Sequence, residues 1–210
     1  MDWVMANAGH ILGLTGAHLQ LSLPAIAAAF LLSLPLARLA NRLRPARALI
    51  LGGTGLLYAV PSLPLFIVLP VLIGTGVRDT LNVIVALTLF GLALMVRSAA
   101  DALDAVDEDT RLAATALGHS SRGRFWTVEL PLAGPALLAG LRVVSVSTIS
   151  LVSVSAVLGV QSLGSLFTDG FQRGIVAAVA AGIAMTVLLA LLLDLLLVLL
   201  GRLLMPWSRR

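Results

Sequence analysis

Apolar residues run along this chain in long blocks separated by short polar connections. A block of about 20 residues is what a helix needs to cross about 30 Å of hydrocarbon. Five blocks read as spans, over about 18–39, 49–73, 81–96, 132–160 and 175–204. The first carries Pro24 near its start and Pro35 near its end, and the second contains Pro61, Pro64 and Pro70. The fifth is long enough to tilt or protrude. Residues 1–17 are mixed and contain glycine, too polar for a span, with Trp3 suited to a helix lying in the interface. The chain closes on MPWSRR, where Trp207 and two arginines serve as interface anchors. The pattern predicts an all-α polytopic membrane protein with five transmembrane helices, one transmembrane domain over 1–210.

Composition sharpens this. Hydrophobic residues make up 59% of the 210-residue chain and charged ones 11%, where a soluble domain carries roughly a quarter charged residues. The absence of cysteine excludes disulfides and thiolate metal sites. His10, His18 and His119 are scattered without metal-ligand spacing, so no metal is expected. A net charge of +4 would suit nucleic acid or anionic lipid, but the basic residues are all arginines and most flank apolar runs. They are read as membrane orientation, with lipid and not nucleic acid as the neighbour. No basic residue precedes the first apolar stretch and Asp2 stands where a positive region would, so no cleavable signal is expected.

The arginines also set direction. With the 97–129 segment in the cytoplasm, eleven lie inside: 38, 42, 44, 47, 97, 111, 122, 124, 202, 209 and 210. Arg78 and Arg173 then lie outside, and Arg142 falls within a span. The opposite orientation inverts that ratio against the positive-inside tendency. The N-terminus is therefore expected outside and the C-terminus in the cytoplasm.

The polar segment between spans three and four, 97–131, carries the function signal. It holds six of the ten acidic residues. Asp107 and Glu108 precede Arg111 by four and three residues, where exposed pairs on one helical face are expected. The helix should continue through Leu117 and stop at Gly118, a natural C-terminal glycine. A polar turn with Arg122 and Arg124 follows, then an amphipathic piece (Phe125, Trp126, Val128) ending at Leu130-Pro131, where Pro131 can open the next span. Two short helices meeting at a glycine make a knob that fits a partner's cleft; an interfacial hairpin without a partner is the plainer reading.

Ala113-Ala114, then Gly118, then Leu130-Pro131 resembles the loop of bacterial ATP-binding-cassette (ABC) importer permeases: an acidic residue, two alanines, three residues, glycine, roughly ten residues, and a leucine-proline pair. HLQLSLPAIAAAFLLSLPLA, VPSLPLFIVLPVLIGTGV and GLRVVSVSTISLVSVSAVLGVQSLGSLFTDG are similar to segments of the osmoprotectant (glycine betaine, choline, carnitine) permeases. The five-span layout is similar to small type I importer permeases, those for methionine included. One departure matters: the acidic residue that opens the motif is Leu112 here, which leaves Glu108 or Asp109 as the nearby carboxylates. The resemblance implies a coupling surface of Leu112, Ala113, Ala114, Leu117, Gly118 and Arg122. It also implies a second permease subunit, identical or homologous, two cytoplasmic ATPases that close on ATP, and an extracytoplasmic binding protein. The chain has no GxxxxGK[ST] phosphate loop, so ATP and magnesium belong to the ATPase and this chain is expected to be no enzyme and to hold no cofactor.

Candidates for the path are Tyr58, Pro61, Ser62, Ser147 and Thr148. Prolines inside a span free carbonyls that only protein or a cavity can satisfy, so Pro61 and Pro64 mark either a gate or a packing kink. The hydroxyls of the fourth span spread around the helix, and small-residue packing explains most of them. An aromatic cage would suit a quaternary ammonium. The ten aromatics do not cluster, which puts the selective site in the binding protein. Arg142 and Asp194 lie inside spans at similar depth and are expected to form a buried ion pair. The functional alternative is that they line a cytoplasmic vestibule and meet the solute, although a cationic substrate gains nothing from an arginine. Competing readings are a permease for methionine or another small solute, a membrane assembly or scaffold subunit without transport, and a small intramembrane enzyme. The last lacks a nucleophile paired with a buried base, and Asp194 is the only acid within a span.

Overall fold

The computed structural model describes residues 2–209, and all regular structure among them is helical. Arg210, one of the C-terminal anchors and of the arginines counted above, lies outside the described residues. A short helix α1 (Asp2–Ala6) leads into α2 (Ala8–Arg42), followed by α3 (Arg44–Ala59) and α4 (Ser62–Ile73). Then come α5 (Thr80–Asp104), α6 (Glu108–Ala116) and α7 (Ser121–Arg124). The chain continues through a wide π turn (Phe125–Glu129) into α8 (Leu130–Val152), tightens to a 3-10 turn (Ser153–Leu158), and ends with α9 (Ser165–Gln172) and α10 (Val176–Leu204).

Four helical stretches are long and apolar enough to cross a membrane: 8–42, 80–104, 121–158 and 176–204. A fifth crossing exists if α3 and α4 count as one broken span. The two meet at 109°. The corner has a covalent cause. Val60 precedes a proline and is driven extended (ψ 123°), and neither Pro61 nor Pro64 has an N–H to continue the α3 ladder. The second span expected over 49–73, with a gate or packing kink at its prolines, is thus two helices. The pair nonetheless runs the length of the bundle. Arg47 at its start bonds Asp104 at the C-terminal end of α5 (2.7 Å). Phe66 and Leu69 pack with Val83 and Leu87 near the other end of α5, and Thr75 bonds Asn82.

The first span also differs from its expected range: α2 begins at Ala8, not near His18. Its early polar residues are accommodated because Ile11, Leu14 and His18 turn inward against Ile149, Leu163 and Leu166. The amphipathic piece before span four is not a separate helix either. It runs unbroken into α8 as a 38-residue stretch, Ser121–Leu158. Pro131 lacks an N–H, and the wide turn just before it, where the Leu130 N–H reaches the Phe125 carbonyl, absorbs the irregularity.

α5 is the centre, packed by α2, α3 and α8. Close approach rests on small residues: a Cβ on Gly91 would lie 2.6 Å from Ala29 Cβ, and one on Gly140 would lie 2.2 Å from Ser98 Oγ. α10 packs on α8 and α9 and leaves Leu191, Leu192, Leu195, Leu196, Leu199 and Leu203 exposed, as a helix facing hydrocarbon does.

Candidate functional site

The loop between α5 and α8 is a folded knob. Asp107 caps α6 by accepting the Asp109 N–H (3.0 Å), so it does not pair with Arg111. Arg111 turns inward and donates to the Leu103 carbonyl (2.6 Å). The helix closes at Gly118, whose φ of +88° is left-handed. The His119 N–H reaches the Ala114 carbonyl and the Gly118 N–H the Thr115 carbonyl, the paired bonds of a Schellman ending. Ala114 packs inward, while Ala113, Leu112, Leu117, Gly118 and Arg122 are exposed. Leu112 is 59% and Leu117 81% open, so the knob exposes two leucines, the first where the motif it resembles has an acidic residue.

Arginines fasten this knob to the spans. Arg38 and Arg42, on the last turns of α2, donate to the Ser121 carbonyl (2.7 Å) and hydroxyl (2.6 Å). Arg38 also stacks 4.0 Å above the buried Phe125 ring. Arg124 ties the two halves of the loop, donating to Thr115 Oγ1 (2.8 Å) and Glu129 (2.7 Å). Arg47 bridges Asn41 and Asp104 (2.8 and 2.7 Å). No local sequence pattern announces these contacts, which join positions up to 83 residues apart.

The second feature is a concave face along α8. The corner between α3 and α4 opens onto a cavity of about 540 Å³ lined by Tyr58, Pro61, Ser62, Phe90, Val146, Ser147 and Ser150. Four of the five expected path residues meet there. Thr148 does not: it is buried within the bundle. Ser150 lines the cavity and was not among the candidates. Val146 and Ser147 also line a neighbouring cavity of about 440 Å³ with Ala139, Val143, Arg142 and Asp194. There Arg142 and Asp194 form a bidentate pair, Nε to Oδ1 at 2.6 Å and Nη2 to Oδ2 at 2.8 Å. The pair is formed as expected, and within this chain the two side chains remain 42% and 25% open.

At the far end of α8 sits a clamp that sequence reasoning missed. His18 is fully buried, accepts the Leu163 N–H at Nδ1 (3.3 Å) and donates from Nε2 to the Ile149 carbonyl (2.9 Å). The carbonyl needs that donor because the 3-10 turn sends the Ser153 N–H to Ser150 and Leu151. Beside it, Gly164 lies so close to Ser153 that a Cβ would fall 2.0 Å from the carbonyl oxygen.

Residues 29–208 match the family described as binding-protein-dependent transport system inner membrane component. The chain belongs to that family. It is a permease subunit of an ABC importer and no enzyme, since in such importers the ATPase is a separate subunit. Permeases of this family work with an ATPase and a binding protein. This permease is 33% identical over 173 residues to the osmoprotectant import permease protein OsmW of Salmonella typhimurium, covering 81% of this chain and 80% of that one. It is 25% identical over 164 residues to the glycine betaine/carnitine/choline transport system permease protein OpuCB of Bacillus subtilis, covering 78% and 74%. Its fold is similar to a chain of the inward-facing MetNI methionine ABC transporter, with a TM-score of 0.76 at 20% identity over 95% of this chain and 96% of that one.

Proposed function

We propose that this permease imports quaternary-ammonium osmoprotectants of the glycine betaine, choline and carnitine class across a bacterial cytoplasmic membrane. The observation that carries the substrate class is the 33% identity to an osmoprotectant import permease across four fifths of both chains. The similarity to a methionine transporter is one of fold and supports no substrate.

The permease is read as one transmembrane domain with five spans, the bent α3–α4 pair being the second. The arginine distribution supports an outer N-terminus and a cytoplasmic C-terminus. On that topology the α6–α7 knob is the coupling element, and its exposed apolar tip enters a groove of the ATPase. Arg38, Arg42 and Arg124 then hand the displacement of the knob to α2 and α8, and the spans rock between two packings. Two permease subunits complete the pathway, a binding protein delivers solute from outside, and ATP and magnesium reside on the ATPase.

The test is growth and uptake. A host lacking its own betaine systems and carrying this permease with its partner subunits should accumulate labelled glycine betaine and grow at high salt. Accumulation of methionine without betaine, choline or carnitine uptake would overturn the substrate class and favour the amino-acid reading.

A further inference from the structure

Arg142 and Asp194 are placed where a purely structural pair has little reason to be. Arg142 lies twelve residues into α8 and Asp194 ten residues before the end of α10, which puts both roughly 15–18 Å from the knob end of their helices. That is mid-bilayer depth. Ion pairs at such depth face a bundle interior or a water-filled cavity, because hydrocarbon solvates charge poorly. This pair is open on one side, and the opening is the cavity that Ser147 shares with the Tyr58, Ser62 and Ser150 cavity at the α3–α4 corner. A face at that depth carrying an open ion pair belongs against protein or water and not against hydrocarbon.

Chemistry then narrows the role. Arg142 uses Nε and Nη2 on Asp194, and its Nη1 has no protein partner among the described residues. An open guanidinium beside an open carboxylate is complementary to a solute carrying one carboxylate and one fixed cation. Such a solute can exchange partners with the pair without leaving a charge uncompensated. The solute's charges stand in for those of the pair and add little to them, so the stop is shallow, as a transit site requires. A quaternary ammonium cannot donate hydrogen bonds, so Asp194 would hold it by charge alone while Arg142 holds the carboxylate by its planar fork.

We propose that Arg142 and Asp194 form a transit site that contacts the solute and favours zwitterions over simple cations. This rests on the quaternary-ammonium class proposed above. It departs from the expectation of a buried structural pair, and the observation behind the departure is the open cavity beside the pair, which has Val146 and Ser147 in common with the cavity at the α3–α4 corner.

The experiment uses the full transporter in proteoliposomes with its ATPase and binding protein, and compares glycine betaine, a zwitterion, with choline, a cation. Arg142→Gln should lower maximal betaine uptake at least tenfold and choline uptake less than threefold. Asp194→Asn should lower both. The exchange variant Arg142→Asp/Asp194→Arg rebuilds the pair in reverse, so it should melt and assemble like wild type while betaine uptake stays at least tenfold down. If the exchange restores uptake together with stability, the pair is structural and the proposal falls. Equal losses of betaine and choline in Arg142→Gln, with choline carried by wild type, would also overturn it. Where wild type carries betaine alone, the exchange variant decides. Transport of none of betaine, choline and carnitine by wild type refutes the substrate class itself, a result distinct from both.

Discussion

Replacing His18 by leucine keeps the volume of the side chain and removes both of its hydrogen bonds. What remains are two backbone groups inside the bundle, the Ile149 carbonyl and the Leu163 N–H, on elements 131 and 145 residues away in sequence. Each buried polar group left without a partner costs about 1–3 kcal/mol, so the variant should lose about 2–6 kcal/mol. Neither group has an easy substitute. The carbonyl has lost its i+4 donor to the 3-10 turn, and the amide belongs to a loop pinned by Gly164. Glutamine can restore one donor and one acceptor and should fall between leucine and wild type. Unfolding in mixed detergent micelles, followed by circular dichroism, measures the difference directly. A loss under about 1 kcal/mol for His18→Leu would refute the clamp, and glutamine no better than leucine would refute the hydrogen-bond account of it.

Gly164→Ala should destabilise by at least about 2–3 kcal/mol in the same assay, because the atom it meets is Ser153 backbone and not a side chain that can swing away. Gly118→Val should leave the permease inserted but abolish transport and ATPase stimulation. A Cβ there meets nothing within 4 Å, so the defect comes from the left-handed backbone, about 1–2 kcal/mol for an L-residue, and Gly118→Asn should be milder. Normal transport by the valine variant would remove the knob from the coupling path. Single cysteines at His119 and Gln172 should react with an impermeant reagent from opposite sides of the membrane; labelling from the same side ends the proposed topology.

How much of this was legible follows from what each feature depends on. Helices α5 and α10 could be read directly, since hydrocarbon imposes a length and a composition on any element that crosses it. The Gly118 stop was legible because a left-handed ending selects glycine locally. The start of α2 was not. A hydropathy reading asks whether each residue suits lipid, whereas Ile11, Leu14 and His18 answer to the interior of the bundle. Pro61 and Pro64 announced a break but not its angle, which is set by where Phe66 and Leu69 find partners on α2 and α5. The concave face lay half in view. Tyr58, Pro61, Ser62 and Ser147 were singled out by type, while Thr148 has the same chemistry one residue along and about 100° round the helix, which turns it inward. The openness of the Arg142–Asp194 pair depends on which side chains of other helices reach it, and no spacing encodes that.

The unbroken run from Ser121 to Leu158 has a mechanical consequence. At 1.5 Å per residue, 38 residues make a strut of roughly 57 Å with its foot in the α6–α7 knob. No flexible joint separates foot from shaft, so a push on the foot is not dissipated in bending a linker. A rocking of about 10° about the foot, comparable to rigid-body rotations in other assemblies, carries the far tip by roughly 10 Å. The far tip is where His18 and Gly164 lock α2 and the loop before α9 to it. Those elements must travel with the strut as one body, so on the proposed topology stroke length at the outer mouth is set by leverage and not by the size of the push.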